Sequence, residues 1–411
     1  MTSAITKALP LTDPASQRIS IWEFIKVLIV CCLINTAIFI YHPPVFFIPD
    51  LFLLAYVVYK FRDLDQEVSL LFFTGILLFW AYFVFSPEAL DIQFANNYWL
   101  VLKPFVYICI LALYSKNYPF VPLYKWVRMF LGLYPCILLW NLYLVHWKEN
   151  ANLGQLLTIR PYFIFENNFE ITFYLNCFII VFFIYQERKW RDFLILGFVI
   201  AIAGSRSGLL SFAAVCVYYF LAVSWRQKLG ALALAGLAAF YIGRGRNISA
   251  PLNTIDRVQS LQAILEHYQF SFLEMLKEPF GYGIYQKVPG YVCSKLPDFA
   301  EWFTGNSHNC DPLMLQAFYT RALYQYGIYV TLLIPLIFFL IVKKEMGWKL
   351  ALIVLTPITC VATSVGGFSN GLAFLGVLVS TFAYAQLHAA QHQSSMSPSG
   401  PSGSAQIIGA H

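Results

Sequence analysis

Gly204-Ser205-Arg206-Ser207-Gly208 is the segment of this chain best suited to hold an anion. It precedes an apolar run at 207–225, so it forms the N-terminus of a membrane-length helix. Free backbone N–H groups and the positive end of the helix dipole gather there, and Ser205 or Ser207 can cap the helix. Arg206 adds a planar fork of donors, a combination that suits a phosphate group. Its alternative role is that of an interfacial arginine reaching to lipid headgroups.

Other cations could converge on the same place. Arg257 follows Asp256 at the start of an amphipathic stretch, Arg321 lies where a long loop returns to an apolar run, and Arg160 lies in a loop before another. Arginines gathered under a roof would suit a diphosphate; the alternative for each is a solvated or lipid-facing charge. His308, in Gly305-Asn306-Ser307-His308-Asn309, can take up a proton near neutral pH and could serve a hydroxyl nucleophile, although a lone histidine is more often structural. His267, on a helix face, is a weaker candidate of the same kind. Glu166 and Glu170, in Phe165-Glu166-Asn167-Asn168-Phe169-Glu170, stand at the mouth of an apolar run, where a carboxylate needs solvent or a partner. They could bind sugar hydroxyls or pair with Arg160.

Several chemistries lack their signatures. The chain has no HExxH and no paired CxxC, so no metal site is expected, and it has no P-loop and no GxSxG. Gly281-x-Gly283 reads as a turn after Pro279. No cofactor is expected.

The elements that must position these residues are membrane helices. Of 411 residues, 59% are hydrophobic and 12% charged, against about 45–50% and about 25% in soluble domains. Spans are expected near 21–41, 44–60, 68–86, 98–115, 122–146, 169–186, 192–204, 207–225, 229–243, 327–342, 348–364 and 371–387, an all-α polytopic protein of about twelve transmembrane helices. No cleaved signal peptide is expected, and the first span acts as an anchor.

The net charge of +6 sits in short loops, which argues against a nucleic-acid partner and for the positive-inside rule. Lys7 and Arg18 precede the first span. Lys60 and Arg62, Lys116, Arg188 with Lys189 and Arg191, Arg226 with Lys228, and Lys343 with Lys344 and Lys349 follow the even-numbered ones. The loops near 87–97 and 365–370 carry no Lys or Arg. Both termini are therefore expected in the cytoplasm. Residues 1–20 form a cytoplasmic segment, 21–243 nine spans, 244–326 a large outer loop, 327–387 three more spans, and 388–411 a disordered, Ser/Gly/Pro-rich tail.

Within the outer loop, Val258, Leu261, Leu265, Tyr268, Phe272 and Met275 recur at helical spacing, predicting an amphipathic helix over about 254–278 that Pro279 and Gly281 end. A second helix is expected from Asp311 into the tenth span. These helices could lie on the membrane and roof a cavity. Seven of the nine cysteines fall in apolar spans as filler. Cys293 and Cys310 share the outer loop and could pair if it faces an oxidising compartment; the sequence leaves that open.

The Ala203-Gly204-Ser205-Arg206-Ser207-Gly208-Leu209-Leu210 run, then a large outer loop with Pro279-Phe280-Gly281-Tyr282-Gly283 and Ser307-His308-Asn309, resembles the O-antigen ligases and O-antigen polymerases of Gram-negative bacteria. The resemblance spans roughly 160–345. It implies a GT-C-like glycosyltransferase of the bacterial inner membrane, working at the periplasmic face without metal or nucleotide. Its partners would be an undecaprenyl-diphosphate-linked oligosaccharide and the lipid bilayer, with a chain-length regulator as a further candidate. Arg206 and Arg257 would bind the diphosphate leaving group. His308 would orient or deprotonate the acceptor, and Arg160, Glu166, Ser205, Ser207 and Arg321 would bind substrate. The Arg160…Phe165-Glu166…Phe169 stretch is similar to polymerases, making a polysaccharide polymerase the leading expectation. The rivals are a ligase acting on lipid A–core and, from another class, a transporter or flippase.

Overall fold

The computed structural model describes residues 19–41, 48–60, 103–111, 123–151, 161–164, 167–222, 256–279, 281–282, 287–296, 310, 315, 317–363 and 367–396, with isolated positions at 113, between 62 and 77 and between 225 and 236. Among them the chain is helical, without strands. In order, the helices are α1 (Ile21–Tyr41), α2 (Ile48–Lys60), α3 (Leu123–Glu149), α4 (Asn167–Ile179), α5 (Trp190–Ala203), α6 (Arg206–Ala222), α7 (Asp256–His267), α8 (Phe272–Lys277), α9 (Gly290–Cys293), α10 (Phe318–Ala362) and α11 (Gly371–Met396). A π-helical turn, Ile180–Ile184, extends α4. Residues 103–111 form a further buried helical stretch.

Among the described residues, four helices are long and apolar enough to cross a membrane: Ile21–Tyr41, Leu123–Glu149, Phe318–Ala362 and Gly371–Ala389. Asn168–Ile184 and Ser207–Phe220 are apolar but shorter. These helices mark a membrane protein. Much of the third and ninth expected spans lies outside the described residues.

Helix α4 is the hub, packed against α11, α10, α3, α6 and α5. Its Tyr174, Phe178 and Phe182 join Phe193 of α5, Phe212 and Tyr219 of α6 and Phe374 of α11 in one core. The outward faces are equally apolar: Ile29 and Leu33 of α1 and Leu332, Leu336 and Leu340 of α10 are exposed. Hydrocarbon on both sides is what a bilayer requires, because lipid removes the penalty that water would impose on such a surface.

Helix α10 has 45 residues, roughly 68 Å at helical rise, about twice the hydrocarbon thickness of a bilayer. It does not run unbroken. Gly327 and Gly347 both take φ of 76° with extended ψ, a combination open only to glycine at little cost. The break at Gly347, beside Lys343, Lys344 and Lys349, divides the tenth and eleventh expected spans.

Three expectations need correction. The outer-loop stretch is two helices, not one. α7 stops at His267, and Gln269 and Phe270 both adopt φ of 52° before α8 begins. That turn changes the buried stripe: Ser260, Ala263, Ile264 and Tyr268 face inward, while Leu261 and Phe272 are exposed. The helix that enters the tenth span begins at Phe318, because Ala317 is extended (φ −66°, ψ 132°); residues 311–314 and 316 of its expected start lie outside the described residues. α11 continues to Met396, past its expected end at 387.

The segment between α6 and α10 has its own small core, in which Ile264 of α7, Tyr268 just after it, Val292 of α9, Leu296 and Leu315 pack on Leu323 and Tyr324 of α10. Cys293 and Cys310 are joined by a disulfide with Cα atoms 5.4 Å apart. The turn after Pro279 locks this unit to the bundle. Tyr282 N–H donates to the Tyr324 carbonyl at 2.9 Å. Gly281 (φ 68°) presses so close to the break in α10 that a Cβ there would lie 2.6 Å from Gly327 N.

Candidate functional site

Helices α4 and α11 run side by side in the same direction. Asn176 meets Gly376 midway, and Ile184 and His388 line one cavity at the far end. Asn168 and Gly371 therefore share the near end, where two polar clusters gather.

The first cluster builds the turn that carries Arg206. Gly204 ends α5 in the left-handed conformation (φ 59°), its N–H donating to Ile200 O at 3.3 Å. Ser205 then caps α6: Gly208 N–H donates to Ser205 Oγ at 3.1 Å. Ser205 Oγ donates to Asn168 Oδ1 at 2.5 Å, and Ser207 Oγ donates to the same oxygen at 3.2 Å. Both serines are buried, so their hydroxyls fasten the start of α6 to the start of α4. Gly208 lets the helices approach: a Cβ there would meet Ile171 Cγ2 at 3.0 Å. Arg206 is the first residue of α6 and Arg257 the second of α7; the side chains of both lie outside the described part of the structure, as do His308, Arg160 and Glu166 entirely.

The second cluster is ionic. Lys103 Nζ lies 2.6 Å from Asp50 Oδ2, and Tyr107 Oη donates to Asp50 Oδ1 at 2.5 Å. Gly371 leaves room for this carboxylate, since a Cβ there would collide with Asp50 Oδ1. Arg321 is 8% exposed and close enough for its charge to act on Lys103. Among the described residues, this end of the bundle thus buries Lys103, Asp50 and Arg321, charges whose desolvation is expensive. Sequence reasoning selected Arg321 but missed Asp50, Lys103 and Tyr107. The signal was present, because a lysine and an aspartate inside apolar runs are flags in themselves.

Glu170 belongs to a third, structural, network. Its carboxylate accepts the N–H groups of Phe163 (2.8 Å) and Ile164 (2.7 Å) and the hydroxyl of Tyr134 (3.1 Å). Asn35 of α1 donates to the carbonyls of Tyr162 and Phe163 at 3.0 and 2.6 Å, and accepts from Asn141 of α3. Side chains of three helices thereby hold the main chain of 161–164 at the head of α4.

At the end of α7, His267 sits among the rings of Tyr268, Tyr282, Tyr291 and Tyr324, with Nδ1 bonded to the Tyr291 hydroxyl. Burial lowers its pKa, against the opposing charge of Glu278. Its Nε2 and the hydroxyl of the buried Tyr268 have no hydrogen-bond partner among the described residues. Among those residues no three His, Cys, Asp or Glu side chains are grouped to hold a metal.

No protein-family model, curated protein or solved structure matches the chain.

Proposed function

We propose that the chain is a polymerase of cell-surface polysaccharide, of O-antigen, capsule or exopolysaccharide type, working at the periplasmic face of the bacterial inner membrane. It transfers a growing glycan from undecaprenyl diphosphate to a sugar hydroxyl of a lipid-linked repeat unit. The observation that carries the reading is the cation-rich end of the bundle, where buried Lys103 and Arg321 share an end with the Ser205-capped helix that Arg206 begins. Cations fixed in a dry site stabilise charge growing on a leaving diphosphate without reorganising.

In this reading the acceptor oxygen attacks the anomeric carbon as the bond from that carbon to the diphosphate oxygen breaks. The hydroxyl proton passes to His308, and the bonding pair leaves with the diphosphate, held by Arg206 and Arg257. Arg160, Glu166 and Arg321 hold the substrates, while Ser205 and Ser207 fix the turn beneath Arg206. The reading takes the chain to have about twelve spans, cytoplasmic termini and a GT-C-like architecture. The Cys293–Cys310 disulfide fits an oxidising compartment on the loop's side of the membrane.

The test is reconstitution in liposomes with the cognate undecaprenyl-diphosphate repeat unit and no other acceptor. A ladder of lengthening glycans is expected, reduced roughly a hundredfold or more in Arg206→Ala. Folded protein that makes no ladder from verified substrate overturns the polymerase reading. A product formed only on adding lipid A–core replaces it with a ligase, and failure of both directs attention to transport.

A further inference from the structure

At the opposite end of the bundle, about 25 Å along α4 and α11 from Asn168 and Gly371, lies a cavity of about 380 Å³. Three parts of the chain form it: the π-helical end of α4, the restart of α10 after Gly347, and the last apolar turns of α11. Lys349, Gln186, Tyr384 and His388 supply polar groups, and Phe183, Leu350, Ile353 and Leu387 supply apolar wall. An amphipathic cavity of this kind takes a ligand with a polar head and an apolar body.

Three features describe that head. Lys349 contributes a cation, and Arg188, Lys189 and Arg191 follow Gln186 closely in sequence, so the local field favours an anion. Trp348 is exposed, with the Lys349 ammonium 5.6 Å from its ring, which matches the aromatic belt at headgroup level. Gln186 holds a left-handed φ of 57°, one residue beyond the Tyr185 that ends the π-helical turn. Non-glycine strain and π-turns both concentrate at ligand-holding sites.

We propose that this cavity binds one anionic phospholipid. Its phosphate sits at Lys349, with the Tyr384 hydroxyl and the Gln186 amide as further donors, and its acyl chain follows Phe183, Leu350 and Leu387 toward the bilayer. A zwitterionic lipid carries the same phosphate but a cancelling ammonium, so net negative heads are preferred. The bound lipid joins the ends of α4, α10 and α11 and stabilises the bundle by binding only the folded state. The site is independent of the catalytic reading.

The experiment uses the full chain purified in neutral detergent, with phosphatidylglycerol, phosphatidylcholine or inorganic phosphate added. Native mass spectrometry counts bound lipid, and thermal unfolding reports stabilisation. Phosphatidylglycerol should bind and raise the unfolding midpoint. Lys349→Gln should weaken its binding roughly fivefold, Leu387→Trp should weaken it by filling the cavity, and Lys343→Gln, outside the cavity, should leave it unchanged. Equal stabilisation by phosphatidylcholine overturns the proposal, as does equal weakening by Lys343→Gln and Lys349→Gln. Full stabilisation by inorganic phosphate alone overturns the assignment of a lipid.

Discussion

Replacing Cys293 and Cys310 together by serine removes a cross-link across a sequence separation of 17 residues. Closing a loop of that length takes about 10 cal/mol/K from the unfolded chain, which at 25 °C is about 3 kcal/mol. The loss should be local. The disulfide belongs to the small core between α6 and α10, and that core meets the bundle mainly through Leu323, Tyr324 and the turn at Gly281. Hydrogen exchange read by mass spectrometry should therefore accelerate across 287–296 by roughly a hundredfold, since 1.4 kcal/mol is a factor of ten. Peptides of α4 and α11 should be unaffected, and wild-type protein with reductant should match the variant. Unchanged exchange at 287–296, or acceleration spread evenly through α4 and α11, would refute the view that the loop is a separate unit held by its cross-link. His308 lies inside the closed loop, two residues before Cys310, so under the proposed function the same variant should also lose glycan transfer.

Two other perturbations test the charged ends of the bundle. Asp50→Asn removes the carboxylate 2.6 Å from Lys103 and 2.5 Å from the Tyr107 hydroxyl. It should cost about 3–5 kcal/mol, seen as a lower unfolding midpoint, and Lys103→Met, which removes the other partner of the buried pair, should cost a comparable amount; an unchanged midpoint in both would contradict the buried ion pair. At the opposite end, burial disfavours ionised Glu187, but hydrogen bonds from Tyr124, Arg128 and Lys189 outweigh it and bring its pKa to about 2. A carboxylate held low stabilises the fold above its ordinary value of 4.5 and loses that contribution as pH falls toward 2. Unfolding midpoints should therefore drop through this window in wild type and less steeply in Glu187→Gln.

Apolar run length and loop charge located α3, α4, α5 and α6 to within a few residues, because those signals are local. The cap of α6 was legible for the same reason, since a serine stands directly before its first residue; that Gly204 ends α5 in the left-handed conformation came from the structure. The Asp50–Lys103 pair was not, since the partners are 53 residues apart and only helix packing sets them side by side. The outer loop was half legible. Its helical period was real, but the turn at Gln269 and Phe270 uses positive φ without glycine, so no residue announces it. Two cysteines in one loop made a disulfide available; the fold of α9 against α7 and α10 decided it.

The segment 161–164 is gripped through its peptide groups. Glu170 and Asn35 bind N–H and C=O of Tyr162, Phe163 and Ile164, atoms that every residue but proline provides. None of these bonds depends on which side chains the segment carries. The backbone path at the head of α4 is therefore set by the surrounding helices, and the side chains of the segment contribute through packing alone, as Phe163 does against the core.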